Sequence, residues 1–492
     1  MENSESSIII PVYNKVEKKE WQHLPIRWPL LFCSFFFIAG FTLTFVAKGT
    51  SDEGDSIMHY LYARYAFQYP DHFFHQWAKP VYVLFAAPFA QLGFTGIKIF
   101  NLIISTTTIW LTYKTAEKLV IPNSSLAALF AVFSPMMIIV TLSGLTEPLF
   151  ACWMMIGLYN LIIGKKTFSL CWLSFLPFVR SEGLIILCVV LIYLLIKRYF
   201  KFIPLLIAGH VVYAIAGYST HKDFLWVFNT LPNAVWSSAY GHGTWMHFVE
   251  NLPEIISIPL CFLFVSGLLY GLIALTKKFL FGDKTVVSDE ELYLIYGVCV
   301  IYFLGHVAFW ALGIFNSFGL LRVMVGIVPL IAIISLRGYN AITQTFRFTW
   351  MKYLLIASVV IFPFINNKYA FKWKRDFSLK ADQKAEIELA NYVKQNFPDY
   401  KNYVFFYEPC YLSVTLDINY FDSAKHKRLL NAFNENRFPE KSFLIWDDWF
   451  APVEGRVELQ QVINDGRFEL LKTFEEKDFW KKTRTVKIFR KK

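Results

Sequence analysis

Residues 28–47 read WPLLFCSFFFIAGFTLTFVA, and the acid run Ser51-Asp52-Glu53-Gly54-Asp55 follows three residues later. The first stretch carries no charge and is about as long as a helix must be to cross a hydrocarbon core of roughly 30 Å. A polar segment, 1–27, precedes it with Lys15, Lys18, Lys19 and Arg27. No small-residue cleavage site separates the two, so the pair reads as an uncleaved signal anchor behind a cytoplasmic tail. The acid run then falls where the chain leaves the bilayer.

Working outward, similar apolar runs recur at 97–113, 124–141, 146–163, 182–197, 202–218, 254–275, 291–312, 319–336 and 351–366. A shorter piece, 168–179, is broken by Pro177. Counting it as a crossing gives about eleven spans. The basic groups Lys114/Lys118, Lys165/Lys166, Lys197/Arg198/Lys201, Lys277/Lys278 and Arg337/Arg347/Lys352 then all fall on the side of the N-terminus, as the positive-inside rule requires. This odd count places the C-terminus outside the cytoplasm. The expected organisation is a transmembrane domain over 28–369 with outer loops 48–96 and 219–253, then a soluble extracytoplasmic α/β domain over 370–492. In that last part a helix is expected near 381–396 and another near 455–464. Strands are expected at 403–407, 443–446, 468–473 and 485–490.

Composition agrees with a polytopic membrane protein. Of 492 residues, 55% are hydrophobic and 17% charged, against about 25% charge in an ordinary soluble domain. The net charge of +11 comes from short clusters between apolar runs, and no zinc-finger spacing, Walker loop or basic recognition helix accompanies it, so nucleic acid is not an expected partner. Six of the seven cysteines sit in apolar segments and only Cys410 lies among polar residues, so no disulfide framework is implied.

Several residues are candidates for chemistry. If a helix begins in the acid run, Asp52, Asp55 and His59 share one face, and crowded carboxylates suit a general base; an acidic cap on the helix dipole accounts for the same spacing. Further along the loop stand His75, Trp77 and Lys79, with Trp77 also readable as an interfacial anchor. Glu147, Arg180, Glu182 and Arg322 lie at the outer ends of spans, where charge is costly and either lines a polar cavity or pairs internally. Guanidinium groups fit phosphate oxygens. In loop 219–253, His242 sits between two glycines amid many rings.

At these residues the chain resembles the type C glycosyltransferases (GT-C), polytopic enzymes that use polyprenyl- or dolichyl-phosphate sugars. The likeness rests on Asp52-Glu53 after the first span, leading a long loop that ends in Lys79-Pro80-Val81-Tyr82. Thr146-Glu147-Pro148-Leu149 and Phe178-Val179-Arg180-Ser181-Glu182-Gly183 look like stretches of mannosyltransferases, and Arg322 opens a late span containing Pro329. The resemblance covers roughly 28–366. It implies an inverting transfer of a sugar, mannose or a related hexose or pentose, to a glycan, lipid or protein hydroxyl on the extracytoplasmic face. Asp52 would be the base, with Glu53 or Asp55 as alternates. His59, His75, Lys79, Glu147, Arg180, Glu182, His242 and Arg322 would bind substrate. No cofactor is obligatory, although a divalent ion (Mg or Mn) on the loop acids fits some relatives. A bacterial inner membrane is favoured over the endoplasmic reticulum. The competing expectations are a transporter or flippase of lipid-linked saccharide, which would place its ionisable groups at the midplane of a repeated fold, and a polysaccharide polymerase or ligase.

Overall fold

The computed structural model describes residues 27–231, 235–282, 287–346 and 348–492; the expected tail before Arg27 and the basic residue Arg347 lie outside these. The chain divides into two compact units. Among the described residues, one comprises those up to Ile38, Ile103–Ile138 and Glu147–Ala370; the other comprises Ala39–Leu102, Ile139–Thr146 and Phe371–Lys492. The bounds differ from a single cut at residue 369, because the acid-bearing loop belongs with the C-terminal segment.

The first unit is helical. Across the chain, among the described residues, five helices are long and apolar enough to cross a membrane: Arg27–Val46, Gly93–Lys118, Ile258–Lys278, Glu291–Leu312 and Leu321–Thr345. The other expected spans are shorter helices, several of them interrupted. Residues 124–141 form two helices, Ser125–Val132 and Pro135–Thr141, because Pro135 has no N–H to continue the first. The piece 168–179 likewise forms Lys166–Leu173 and Leu176–Val179, with Pro177 at the second position of the latter. Small residues bring helices together: a Cβ on Gly267 would stand 2.0 Å from the Ile334 carbonyl oxygen, and one on Gly338 would stand 2.0 Å from that of Leu263. Backbones so close favour packing where lipid offers no hydrophobic drive.

In the second unit, loop 48–96 contains two α-helices, Asp55–Tyr65 and Pro80–Ala90, with a short 3-10 helix, Pro70–Phe74, between them. Phe371–Lys492 contributes a five-stranded sheet ordered β2-β1-β3-β5-β4, with β1 Val404–Phe406, β2 His426–Lys427, β3 Ser442–Asp447, β4 Phe468–Lys477 and β5 Thr483–Lys491. Strand β1 runs parallel to β2 and β3, while β3/β5 and β4/β5 are antiparallel. Alternation sends Phe405, Phe443 and Ile445 to one face, under Ala385, Leu389 and Val393 of helix Ala381–Asn396. Phe406, Leu444 and Trp446 go to the other face. Central strands covered on both sides read as continuous apolar runs, which is why FLIW at 443–446 signals a strand.

Candidate active site

The acid run is folded tightly. Helix Asp55–Tyr65 starts one residue after Gly54, so Asp52 stands before its first turn and not on its face. Only Asp55 and His59 share that face. Asp52 instead caps the helix: its Oδ1 accepts the Ser56 N–H at 3.0 Å, satisfying a donor that the first turn leaves open. Ser51 next to it has φ +74°, a left-handed conformation costly for a residue with a Cβ. The capping and general-base expectations therefore fall on one carboxylate. Asp52, Glu53 and Asp55 are all half-buried.

The imidazoles of this loop are engaged in packing. His59 is buried with its ring stacked on Trp77 at 4.9 Å. Trp77 is half-buried and packs against His59 and Tyr62. His75 stacks on Tyr62 and its Nδ1 accepts the Ala78 N–H at 3.3 Å. Lys79, at φ +67°, turns the chain into helix Pro80–Ala90.

Sequence reading missed a second set of acids in this unit. Asp382 is held above the usual carboxylate range by burial and then by the charge of Glu53. Glu386 is raised further by burial, with Asp382, Asp447 and Glu53 adding to it. Asp447 is pushed up to about 7 by burial, against three backbone N–H donors from Trp449, Phe450 and Ala451. No sequence signal separates these acids from ordinary surface carboxylates, because their burial follows from sheet topology. Among the described residues, no three His, Cys, Asp or Glu side chains are arranged to ligate one metal ion.

The first unit holds the other group of candidates. Glu147 opens helix Glu147–Ile162 and is fully buried. Its Oε1 lies 2.9 Å from Arg180 Nη1 and 3.4 Å from Arg322 Nε. Arg180 Nη2 also donates to Glu182 Oε1 at 2.8 Å. Two guanidiniums and two carboxylates therefore form one network, and the internal pairing of Arg180 with Glu147, the alternative to a polar cavity, is present. Tyr302 and His306, one turn apart on helix Val298–Leu312, stand within electrostatic reach of Arg180 and Glu182. Nothing but their i, i+4 spacing marks them in sequence. His242 makes no ion pair or hydrogen bond with this network among the described residues; it is exposed against the Gly313 turn. In the same loop, His247 Nε2 lies 2.7 Å from the Gly319 carbonyl oxygen.

Two solved structures share this architecture. ArnT from Cupriavidus metallidurans bound to undecaprenyl phosphate matches with a TM-score of 0.61 at 10% identity, over 94% of this chain and 98% of that one. The same protein in the apo state matches with a TM-score of 0.58 at 11% identity, over the same shares. The fold is of the GT-C type. Its apolar helices make the chain an integral membrane protein. No family model and no curated protein matches the sequence.

Proposed function

We propose that this GT-C-type chain is a glycosyltransferase that moves a sugar from a polyprenyl-phosphate donor to a hydroxyl acceptor on the extracytoplasmic face. The sugar is mannose or a related hexose or pentose. The observation that carries the reading is the acid run at 52–55, held half-buried at a helix start just after the opening apolar helix, in a fold shared with a protein bound to undecaprenyl phosphate. In this reading the Asp52 carboxylate takes the acceptor O–H proton as the acceptor oxygen bonds to the anomeric carbon. The bond from that carbon to the phosphate oxygen breaks, its electron pair leaves with polyprenyl phosphate, and the configuration inverts. Arg180 and Arg322 are assigned to the phosphate, whose charge grows as it departs. Glu147 and Glu182 hold the guanidiniums oriented until it binds.

The test incubates membranes containing the full chain with radiolabelled undecaprenyl-phosphate mannose and, separately, with an undecaprenyl-phosphate pentose. Label is expected to leave the lipid, and Asp52→Asn is expected to abolish that loss while donor binding persists. Undiminished transfer by Asp52→Asn overturns the base assignment. Movement of labelled lipid between leaflets with no release of sugar overturns the enzyme reading in favour of transport.

A further inference from the structure

In open α/β sheets, ligands settle outside the carboxyl ends of the parallel strands, where the strand order changes direction. Here the order β2-β1-β3 puts that point between β1 and β3. Its rim is formed by Glu408 and Cys410 after β1 and by Asp447, Trp449 and Phe450 at the end of β3. The crevice contains a segment of the same chain. Cys410 Sγ donates to the Gly54 carbonyl at 3.3 Å, and a Cβ on Gly54 would stand 3.4 Å from the Phe450 ring. The Gly49 N–H donates to the Phe377 carbonyl at 2.8 Å. Between these pins, Gln383 Nε2 donates to Thr50 Oγ1 at 2.9 Å and to the Asp52 carbonyl at 3.4 Å. The Thr50 hydroxyl itself donates to that carbonyl at 2.5 Å. Gln383 is fully buried, and its Oε1 accepts the Lys380 N–H at 3.2 Å, which fixes the amide's orientation and turns its NH₂ toward the loop.

We propose that Gln383, acting with Thr50, is a positioning residue that fixes the backbone of Asp52, so that the ligand crevice of the C-terminal sheet serves to hold the base. The inference rests on the reading of Asp52 as base. Misplacing a reacting group by about 1 Å can cost about a hundredfold in rate, so a fixed carbonyl at residue 52 matters to the carboxylate it carries. The donor phosphate is assigned to Arg180 and Arg322 and not to this arrangement, so its loss is expected in turnover and not in donor affinity.

The test uses the full chain in membranes with undecaprenyl-phosphate mannose. Gln383→Ala and Thr50→Val are expected to lower kcat about tenfold or more, with donor KM held within about twofold. Thr50→Ser, which restores the hydroxyl, is expected to return kcat to within about threefold of wild type. The double variant Gln383→Ala/Thr50→Val is expected to lose no more than the worse single variant, since both act through one hydrogen-bonded carbonyl. Wild-type kcat in both single variants, with Asp52→Asn inactive, overturns the positioning role and leaves the base assignment standing. Parallel changes of kcat and KM together with a lowered thermal midpoint, unrescued by Thr50→Ser, also overturn it. Full transfer by Asp52→Asn removes the reading on which it rests.

Discussion

Arg180 Nη1 and Glu147 Oε1 lie 2.9 Å apart, with Glu147 fully buried in the helical unit. Removing one partner of such a pair leaves an uncompensated charge and costs about 3–5 kcal/mol, whereas removing both is far milder. Glu147→Gln and Arg180→Gln are each expected to lower the thermal midpoint of the purified protein sharply, and the double variant to lose less than the two losses summed, although it also takes from Arg322 and Glu182 the partners they have in this network. Transfer is expected to stay lost in all three. Additive losses of stability would show that the two side chains are not coupled.

Gly144 is a steric requirement. A Cβ there would stand 2.2 Å from the Ser56 carbonyl oxygen, and the Gly144 N–H donates to Ser56 Oγ at 2.7 Å. Its carbonyl also accepts the Tyr82 hydroxyl at 2.7 Å. Gly144→Ala must displace the start of helix Asp55–Tyr65, the turn that Asp52 caps. Overpacking of this kind typically costs about 1–3 kcal/mol, with turnover expected to fall further than stability predicts. A variant melting and turning over like wild type would refute the contact.

The buried acids of the C-terminal segment give a pH dependence of definite sign. A carboxyl whose affinity for protons is higher when folded binds more protons folded than unfolded, so its contribution to stability declines as pH rises. For Asp447, pushed up to about 7, the decline runs from the ordinary carboxylate range near pH ~4 to about 7. The thermal midpoint of wild type relative to Asp447→Asn is therefore expected to fall across that interval and level off above it. Glu53→Gln removes a charge that raises Asp382 and should move the Asp382 part of the slope to lower pH. A difference independent of pH would contradict both statements.

Lys98 is buried and donates to the Ala47 carbonyl at 2.6 Å, beyond the end of helix Arg27–Val46. A cation at a helix C-terminus satisfies an orphan carbonyl and offsets the dipole. Lys98→Met keeps the bulk and leaves that carbonyl without its donor, at a cost of about 1–3 kcal/mol. A drop in thermal midpoint is expected with Met and a smaller one with Arg. Equal midpoints for Met and wild type would remove the role.

The membrane-embedded architecture is legible because an uncharged apolar run of about twenty residues matches the thickness of a bilayer core and suits little else. The GT-C type is legible because short motifs recur in order along such runs. Glu147, Arg180 and Arg322 stand out for a single reason: charge in an apolar run is expensive, so its presence asks for partners, and those partners prove to be one another. Lys98 meets the same criterion yet escapes notice, since one cation inside a long apolar helix looks like the edge of a span. Helix Pro80–Ala90 reads as loop when the surrounding segment is judged by its charges and imidazoles. Gln383 and Cys410 carry no such mark. An amide or thiol near a strand has no pattern of its own, and what makes these two matter is a strand order that places them beside residues 50–54.

Thr50 and Gln383 are separated by 333 positions along the chain. During synthesis the acid run emerges early, yet its support exists only after most of the chain has been translated. Cys410 and Phe450 follow Gln383, and β4 and β5 follow them. A ribosome that stops short would release a membrane-inserted fragment with its acids present and their backbone unheld. Synthesis of the sheet thus gates the shaping of the acid loop, and a copy truncated before it would occupy the bilayer with that loop unheld.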